Sequence, residues 1–394
     1  MKIWLLNHTF YPARGGIENY LRGAARVLGE MGNEPIILCR RHLPELPEEE
    51  EREGIKIIRH PDFPVPSGRL FHKHFYLTEK LAEWLSASAH AREGLVISRF
   101  PHYQAAVSRL ARVPPTVYMP ASVFPGLISF TLGANSRKEK FFYLFWKSQI
   151  RALEKEALKG ASRVTVFSRN MMEQLVSHYR LPAGKVEVNP PGVDSERFKP
   201  GAGDPEILRK FGLRPDMPVL LYLGRLSPEK NLPFLIEAVA PLLAEDEAVL
   251  LVVGEGPEKG RLEEMVVSRG LANKVVFSGG TDEPEKYYRL SDIFLSPSLY
   301  ESFGQSILEA MASGLPVIAL EHSPPSIRVA APEIIEEGES GFCIPARPAA
   351  MREKVELLLT APRLRREMGA KGRAICRERY SWERHVSGLI ELAR

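Results

Sequence analysis

The chain has 394 residues, 44% apolar and 26% charged, a size for two ordinary domains and a composition that excludes a disordered or fibrous protein. Three scattered cysteines, Cys39, Cys343 and Cys376, form neither a disulfide framework nor a zinc site and fit a reducing compartment. No apolar run approaches the roughly 20 residues that span a bilayer. The net charge of +4 conceals an asymmetry: residues 1–194 carry 27 Lys and Arg against 19 Asp and Glu, whereas residues 195–394 carry 26 against 30. A basic first half suits an anionic partner such as phosphate-bearing lipid, a membrane surface or nucleic acid, and equally a solvated face of mixed charge.

The opening MKIWLLNHTFYP is too short for a signal-peptide core and reads as a first strand, Lys2–Asn7. A loop ending in Gly15-Gly16, a helix over Ile17–Met31 with apolar residues at helical spacing, and a strand over Pro35–Cys39 make a βαβ unit. Glu45–Glu53 reads as a solvated acidic loop and Ile55–Arg59 as a strand. Helices are expected over Phe71–Leu85, Ala105–Ala111 and Ser136–Lys159, the last rich in aromatics (Phe141, Phe142, Phe145, Trp146), with strands at Gly94–Ser98, Thr116–Met119 and Val164–Ser168. After a helix over Asn170–His178 and a strand over Val186–Asn189, Pro190-Pro191-Gly192-Val193-Asp194 reads as a linker, because prolines fix direction and the charge changes sign there.

The pattern then restarts. Strands are expected at Val219–Leu223, Ala248–Val253, Val275–Ser278, Ile293–Leu295 and Val317–Leu320. Helices are expected at Leu232–Leu243, Lys259–Arg269, Glu283–Leu290, Ala349–Leu359 and Pro362–Arg379. A last helix follows Ser381 and needs a surface for Val386, Leu389 and Ile390; the first domain is expected to supply it. Two consecutive α/β domains with a ligand cleft between them are the predicted architecture.

Chemistry concentrates in the second half. Gly224-Arg225 follows a buried strand, where parallel sheets bind ligands, and Lys230 lies five residues on; two cations beside a helix N-terminus suit a pyrophosphate. Ser296–Leu320 places Glu301 in a polar loop before a helix and Glu309 inside it. Unpaired N–H groups at that helix start attract an anion, and carboxylates accept hydrogen bonds from a polyhydroxylated ligand. Taken alone, the stretch reads equally as a capped helix packed on a sheet. Gly15-Gly16 permits close approach of a phosphate or simply makes a tight turn. No HExxH, CxxC, DxD or GxSxG occurs, so neither a metal site nor a serine-hydrolase elbow is implied.

In order along nearly the whole chain, several patterns resemble those of the GT-B glycosyltransferases of family 4, glycosyl transferases group 1. They are Gly15-Gly16 with Glu18; Asn189–Asp194 with Phe198 and Pro200; Gly224-Arg225-Leu226 with Glu229-Lys230; Gly254-Glu255-Gly256-Pro257; and Val276-Phe277-Ser278-Gly279. Glu301 and Glu309, with seven residues between them, and Ser381-Trp382-Glu383 complete the set. The resemblance implies two Rossmann-like domains facing across a cleft. The first is an acceptor-side domain over 1–192 with a crossing tail over 380–394, and the second a nucleotide-sugar domain over 193–379. It implies a retaining, metal-independent hexosyltransferase acting on a UDP- or GDP-sugar, with no cofactor.

By the same resemblance, Arg225 and Lys230 neutralise the departing diphosphate and Glu301 binds the transferred sugar, the three catalytic residues. Gly16, Gly254, Gly256, Gly279, Phe303, Gly304, Gln305 and Ser306 line the donor, and Glu309 takes the ribose hydroxyls. Many relatives carry a histidine near the acceptor. The matching place here, Tyr118-Met119-Pro120-Ala121, has none, which leaves His102, Asn7 and Arg14 as acceptor candidates. The expected acceptor is a polysaccharide or lipid-linked glycolipid precursor, with no nucleic acid, for a cytoplasmic enzyme held peripherally at the inner face of the membrane. The rivals are a synthase of a soluble glycoside or disaccharide, a nucleotide-sugar-binding regulator without transfer activity, and an epimerase of the same fold, against which the glutamate spacing argues.

Overall fold

The computed structural model describes residues 1–13, 15–88, 90, 91, 93–123, 137–182 and 184–393, without the side chains of 137–145. The chain divides into two compact units, Met1–Pro191 with Trp382–Arg394, and Gly192–Ser381.

In the first unit, eight strands among the described residues make one sheet: β1 (Lys2–Leu6), β2 (Glu34–Arg40), β3 (Glu49–Arg52), β4 (Ile55–His60), β5 (Leu95–Ser98), β6 (Thr116–Tyr118), β7 (Arg163–Val166) and β8 (Val186–Val188). Their order is β3-β4-β2-β1-β5-β6-β7-β8. All neighbours are parallel except β3 on β4. The central strands are continuous runs of Val, Ile and Leu, as expected for strands covered on both faces. Trp4, Leu6, Ile36, Leu38, Ile58 and Val96 form one core with Leu81, Leu85, Tyr103 and Val107 of the covering helices. The order reverses between β1 and β5, which puts the start of this unit's crevice at Asn7 and Arg99.

In the second unit, six strands are all parallel: β9 (Val219–Leu223), β10 (Val249–Val253), β11 (Val275–Gly279), β12 (Ile293–Ser296), β13 (Val317–Leu320) and β14 (Gly341–Ile344), ordered β11-β10-β9-β12-β13-β14. This is the doubly wound nucleotide-binding order, with its switch point between β9 and β12. Ligands of doubly wound sheets bind at the carboxyl ends of the strands at such a switch point.

The last helix, Trp382–Leu392, belongs to the first unit, as its apolar face requires. Trp382, Val386 and Leu389 are buried, and Tyr20 joins its hydroxyl to His385 Nε2 at 2.7 Å. This last helix meets the helix Gly16–Glu30 at Gly23, where a Cβ would press against the Trp382 ring at 2.5 Å. Asn189 adds a bond from Nδ2 to the His385 carbonyl, 3.0 Å.

Three local expectations need correction. Glu49–Arg52 is an edge strand rather than part of a loop. It pairs antiparallel with β4, Glu49 meets Lys56 at 3.0 Å, and Glu50 meets the fully buried Arg59 at 2.5 Å. Cross-strand ion pairs thus supply what the acidic run lacks in strand propensity. The helix expected at Phe71 begins at Lys73, after a 3-10 turn over Ser67–His72. The helix expected over Ala105–Ala111 runs from Pro101, whose fixed φ suits a first turn, to Ser108. The aromatic side chains at 141, 142 and 145 lie outside the described residues.

Candidate active site

The loop leaving β9 is built to hold its backbone still. The Gly224 N–H bonds the Val253 carbonyl at 3.0 Å, Leu226 N–H bonds Glu255 at 2.9 Å, and Glu258 N–H bonds Leu226 at 3.0 Å. Tyr222 donates its hydroxyl to the Arg225 carbonyl at 2.8 Å. Gly254, at φ 145, admits no side chain, because a Cβ there would overlap the Gly224 carbonyl. Gly256 is packed as closely on the Leu226 carbonyl. The glycines at 254 and 256 therefore set the position of the Arg225 loop. Gly279 ends β11 beside them, and its carbonyl accepts from Gly254 N–H at 2.9 Å.

Arg225 is exposed and, among the described residues, has no carboxylate partner. Lys230 ends the 3-10 turn Pro228–Lys230 and is half-buried. Its ammonium forms an ion pair with Glu301, which joins the loop after β9 to the loop after β12. Glu229, beside it, is buried; its Oε1 accepts from Ser227 at 2.5 Å, its Oε2 has no partner, and its carbonyl accepts from Leu299 N–H at 2.8 Å. The backbone of Arg328 completes the frame: its N–H bonds Leu299 at 2.8 Å and its carbonyl accepts from Glu301 N–H at 2.9 Å.

Gly304 caps the helix Gln305–Ala312 and contributes no side-chain cap, so the first-turn amides of Gln305 and Ser306 are open to a ligand. Gln305 donates from Nε2 to the Gly192 carbonyl at 3.1 Å. Phe303 is buried against Tyr380, ring centroids 5.9 Å apart. Glu309, 8% exposed, lies one turn into this helix and accepts from the Tyr288 hydroxyl at 3.0 Å. Burial pushes its carboxyl up to about 7, against the pull of the Tyr288 bond and the Arg197 charge. Arg197 is itself fixed by Glu285 at 2.9 Å and by the Asp282 carbonyl at 2.7 Å. Tyr288, Arg197 and Arg328 were not signalled by the sequence: no local pattern marks a residue whose role is to support another.

In the first unit, Gly16 opens the helix Gly16–Glu30, and a Cβ there would meet nothing within 4 Å. Asn7 directly follows β1; it is buried, with Nδ2 bonded to the Thr9 carbonyl at 2.6 Å. His102 lies in the first turn after β5 and bonds His74 at 2.8 Å. Burial pulls His102 down to about 3 and His74 to about 4, so both rings are neutral near pH 7. Arg14 lies outside the described residues. Among the described residues, no group of three or more His, Cys, Asp and Glu side chains is placed to hold a metal ion.

The chemistry of this set suits a diphosphate and a polyol. Cations and open amides lie at one switch point, and carboxylates stand on either side of the same helix start. Residues 204–375 match the family model of glycosyl transferases group 1, and residues 14–197 match that of glycosyltransferase family 4. A D-inositol 3-phosphate glycosyltransferase of Streptomyces bingchenggensis is 32% identical over 252 residues, 61% of this chain and 54% of that protein. The match thus spans about half of that relative's length. A GDP-mannose-dependent alpha-(1-6)-phosphatidylinositol monomannoside mannosyltransferase of Mycolicibacterium smegmatis is 27% identical over 412 residues, covering 98% of this chain and 97% of that protein. Sucrose-phosphate synthase from Thermosynechococcus elongatus superposes with a TM-score of 0.80 at 23% identity, over 99% of this chain and 98% of that one, which shows a common GT-B fold. With the two family models leaving only residues 1–13, 198–203 and 376–394 unmatched, the chain belongs to glycosyltransferase family 4.

Proposed function

We propose that the protein transfers a hexosyl group from a UDP- or GDP-sugar to a hydroxyl acceptor, with retention of anomeric configuration and without a metal ion or cofactor. The second unit takes the donor and the first the acceptor. The observation that carries this reading is the Lys230–Glu301 ion pair at the β9–β12 switch point, beside the open amides of Gln305 and Ser306. On donor binding, Lys230 turns to the diphosphate with Arg225, and Glu301 accepts from the hexose hydroxyls. In the second unit Gly254, Gly256, Gly279, Phe303 and Gly304 line the donor and Glu309 receives the ribose hydroxyls, while Gly16 is a donor residue by its place in the sequence.

The bond between the anomeric carbon and the diphosphate oxygen breaks as the acceptor oxygen attacks from the same face. The acceptor proton passes to the departing phosphate oxygen. Arg225 and Lys230 stabilise charge that grows on the leaving group, the term most able to lower such a barrier. Asn7 and His102 are the acceptor-side contacts, His102 as a neutral ring, and Arg14 joins them by its place in the sequence.

The acceptor is a polysaccharide or glycolipid precursor, in line with the mannosyltransferase relative, and a soluble glycoside is the other outcome. A membrane-bound acceptor fits one surface of the first unit. Leu70, Phe71 and Phe75 are 38%, 48% and 37% exposed beside Arg69 and Lys73, an apolar strip flanked by cations. Among the described residues no helix is long and apolar enough to cross a membrane, so the contact would be peripheral. Flotation with anionic liposomes at low salt tests it, and absence of the protein from the lipid fraction ends it.

Release of nucleoside diphosphate from a panel of UDP- and GDP-sugars, without acceptor, tests the central reading. One nucleotide should support release, and Lys230→Ala should lower it by about 100- to 1,000-fold, the loss typical of one transition-state charge contact. Release by Lys230→Ala and Glu301→Ala near the unmodified rate would remove the reading. Tight donor binding with no release or transfer would favour the regulator instead.

A further inference from the structure

The geometry points to an anion-binding subsite at Arg99 in the first unit, which holds a phosphate ester on the acceptor; the acceptor role rests on the transfer reading above. Arg99 follows β5, and its N–H bonds the Leu6 carbonyl at 3.0 Å, so it stands beside Asn7 where the strand order reverses. Ligands bind doubly wound sheets at that point.

Arg99 is 3% exposed, yet among the described residues no carboxylate forms an ion pair with it. Its guanidinium lies over the rings of Tyr20 and Phe167, 4.5 and 4.8 Å from their centroids. These rings offer π-faces to the cation but no hydrogen-bond acceptor of the strength of an anion. The N–H donors project from its edges, and Nε and Nη1 have no hydrogen-bond partner. Burial pulls the group down to about 10, so it remains a cation at neutral pH. A buried cation with two of its three nitrogens unpaired is costly unless an anion meets it. Glu18, the carboxylate that acts on it through space, is held by the Thr9 hydroxyl at 2.7 Å.

The neighbouring groups narrow the ligand. Tyr118 ends β6 opposite Ser98, the residue before Arg99, and its buried hydroxyl has no partner. Asn7 keeps Nδ2 on the Thr9 carbonyl and has an unpaired, buried Oδ1. Unpaired guanidinium N–H donors with a phenol hydroxyl suit phosphate oxygens, and a lone amide oxygen suits a hydroxyl on the same molecule. The class is therefore a phosphorylated polyol, either a free sugar or polyol phosphate or the headgroup of a phosphoglycolipid.

The test has two parts. Titration of the donor-free protein with inorganic phosphate, followed by calorimetry, should show one site that Arg99→Met abolishes. Transfer is then compared for glucose 6-phosphate and myo-inositol 1-phosphate against glucose and myo-inositol, and for phosphatidylinositol against diacylglycerol vesicles. The phosphate-bearing member of a pair should be preferred, and Arg99→Met should cut that preference by about 10- to 100-fold, the share of a hydrogen bond to a charged group. Arg99→Lys keeps the charge without the planar guanidinium donors and should retain part of it; it serves also if the methionine variant does not fold. The soluble and vesicle arms identify the source. No phosphate site in the unmodified protein, or a preference unchanged in both variants, overturns the subsite. Donor breakdown without acceptor reports separately on the transfer reading: its loss in the unmodified protein sinks that reading, while phosphate titration still decides the subsite.

Discussion

Lys230 and Glu301 form an ion pair between two loops that leave adjacent strands, and neither charge is more than about a fifth exposed. In the donor-free protein each neutralises the other. On the proposed transfer reading, an arriving diphosphate would give the lysine a stronger partner and free the glutamate for hydroxyls. On that reading the pair would be a latch whose opening is coupled to donor binding. Because the two act as a unit, the losses should not add. Lys230→Ala and Glu301→Gln should each reduce nucleoside diphosphate release by about 100-fold or more, and the double variant by little beyond that. Losses that multiply in the double variant would show independent roles and no latch.

Glu309 gives a pH dependence of defined sign. Burial pushes its carboxyl up to about 7, and in the proposed ribose-binding role the ionised form would be the stronger acceptor for hydroxyls. The KM for the donor should fall as pH rises from 6 to 8. Tyr288 stabilises the charged form through its 3.0 Å bond, so Tyr288→Phe should move the transition upward in pH. Glu309→Gln should flatten the profile and raise KM throughout. A KM that rises with pH in the unmodified enzyme would rule out the carboxylate as the ribose acceptor.

Gly254→Ala probes the backbone. The substitution puts a Cβ onto the Gly224 carbonyl at a φ that side chains rarely adopt. The strain, about 1–3 kcal/mol before any steric overlap, should lower the melting temperature by several degrees. The displaced loop carries Arg225, so donor breakdown should fall as well. The nearby Gly280→Ala, whose Cβ would meet only the Glu255 side chain at 3.6 Å, should do neither. Equal behaviour of the two variants would mean that the Gly254–Gly224 contact does not position the loop.

Much of the fold was legible because buried parallel strands are continuous apolar runs and the helices between them keep their period. β14, Gly341–Ile344, was missed: four residues beginning with glycine carry too little pattern, and only pairing with β13 makes them a strand. The acidic β3 carries a loop-like sequence for the same kind of reason. Its partners, Lys56 and Arg59, are recruited by folding. At the site, Arg225, Lys230, Glu301 and Glu309 stood out because strand ends and helix starts are visible in sequence. Tyr288 and Arg99 did not. A tyrosine beneath a glutamate and an arginine between two rings are relations between distant segments, and neither leaves a local mark.

Glu154 supplies a prediction about stability alone. It is fully buried in the long helix Arg137–Gly160, with Oε1 unpaired and Oε2 accepting from the Tyr179 hydroxyl. Burial pushes its carboxyl up to about 7, from an ordinary value of 4.5. Between these values the folded state binds a proton that the unfolded chain has lost, so the contribution of this group falls as pH rises from about 4.5 to 7. The loss reaches about 3 kcal/mol at pH 8, where the buried carboxylate is charged. Glu309 carries the same sign, so the measurement must be a difference between variant and parent. Glu154→Gln removes the titration. Its melting temperature relative to the parent should therefore rise between pH 5 and pH 8, by about 5–10 °C for a unit of this size. A difference independent of pH would show that Glu154 is ionised in the folded protein throughout that range, compensated by a group that burial alone does not reveal.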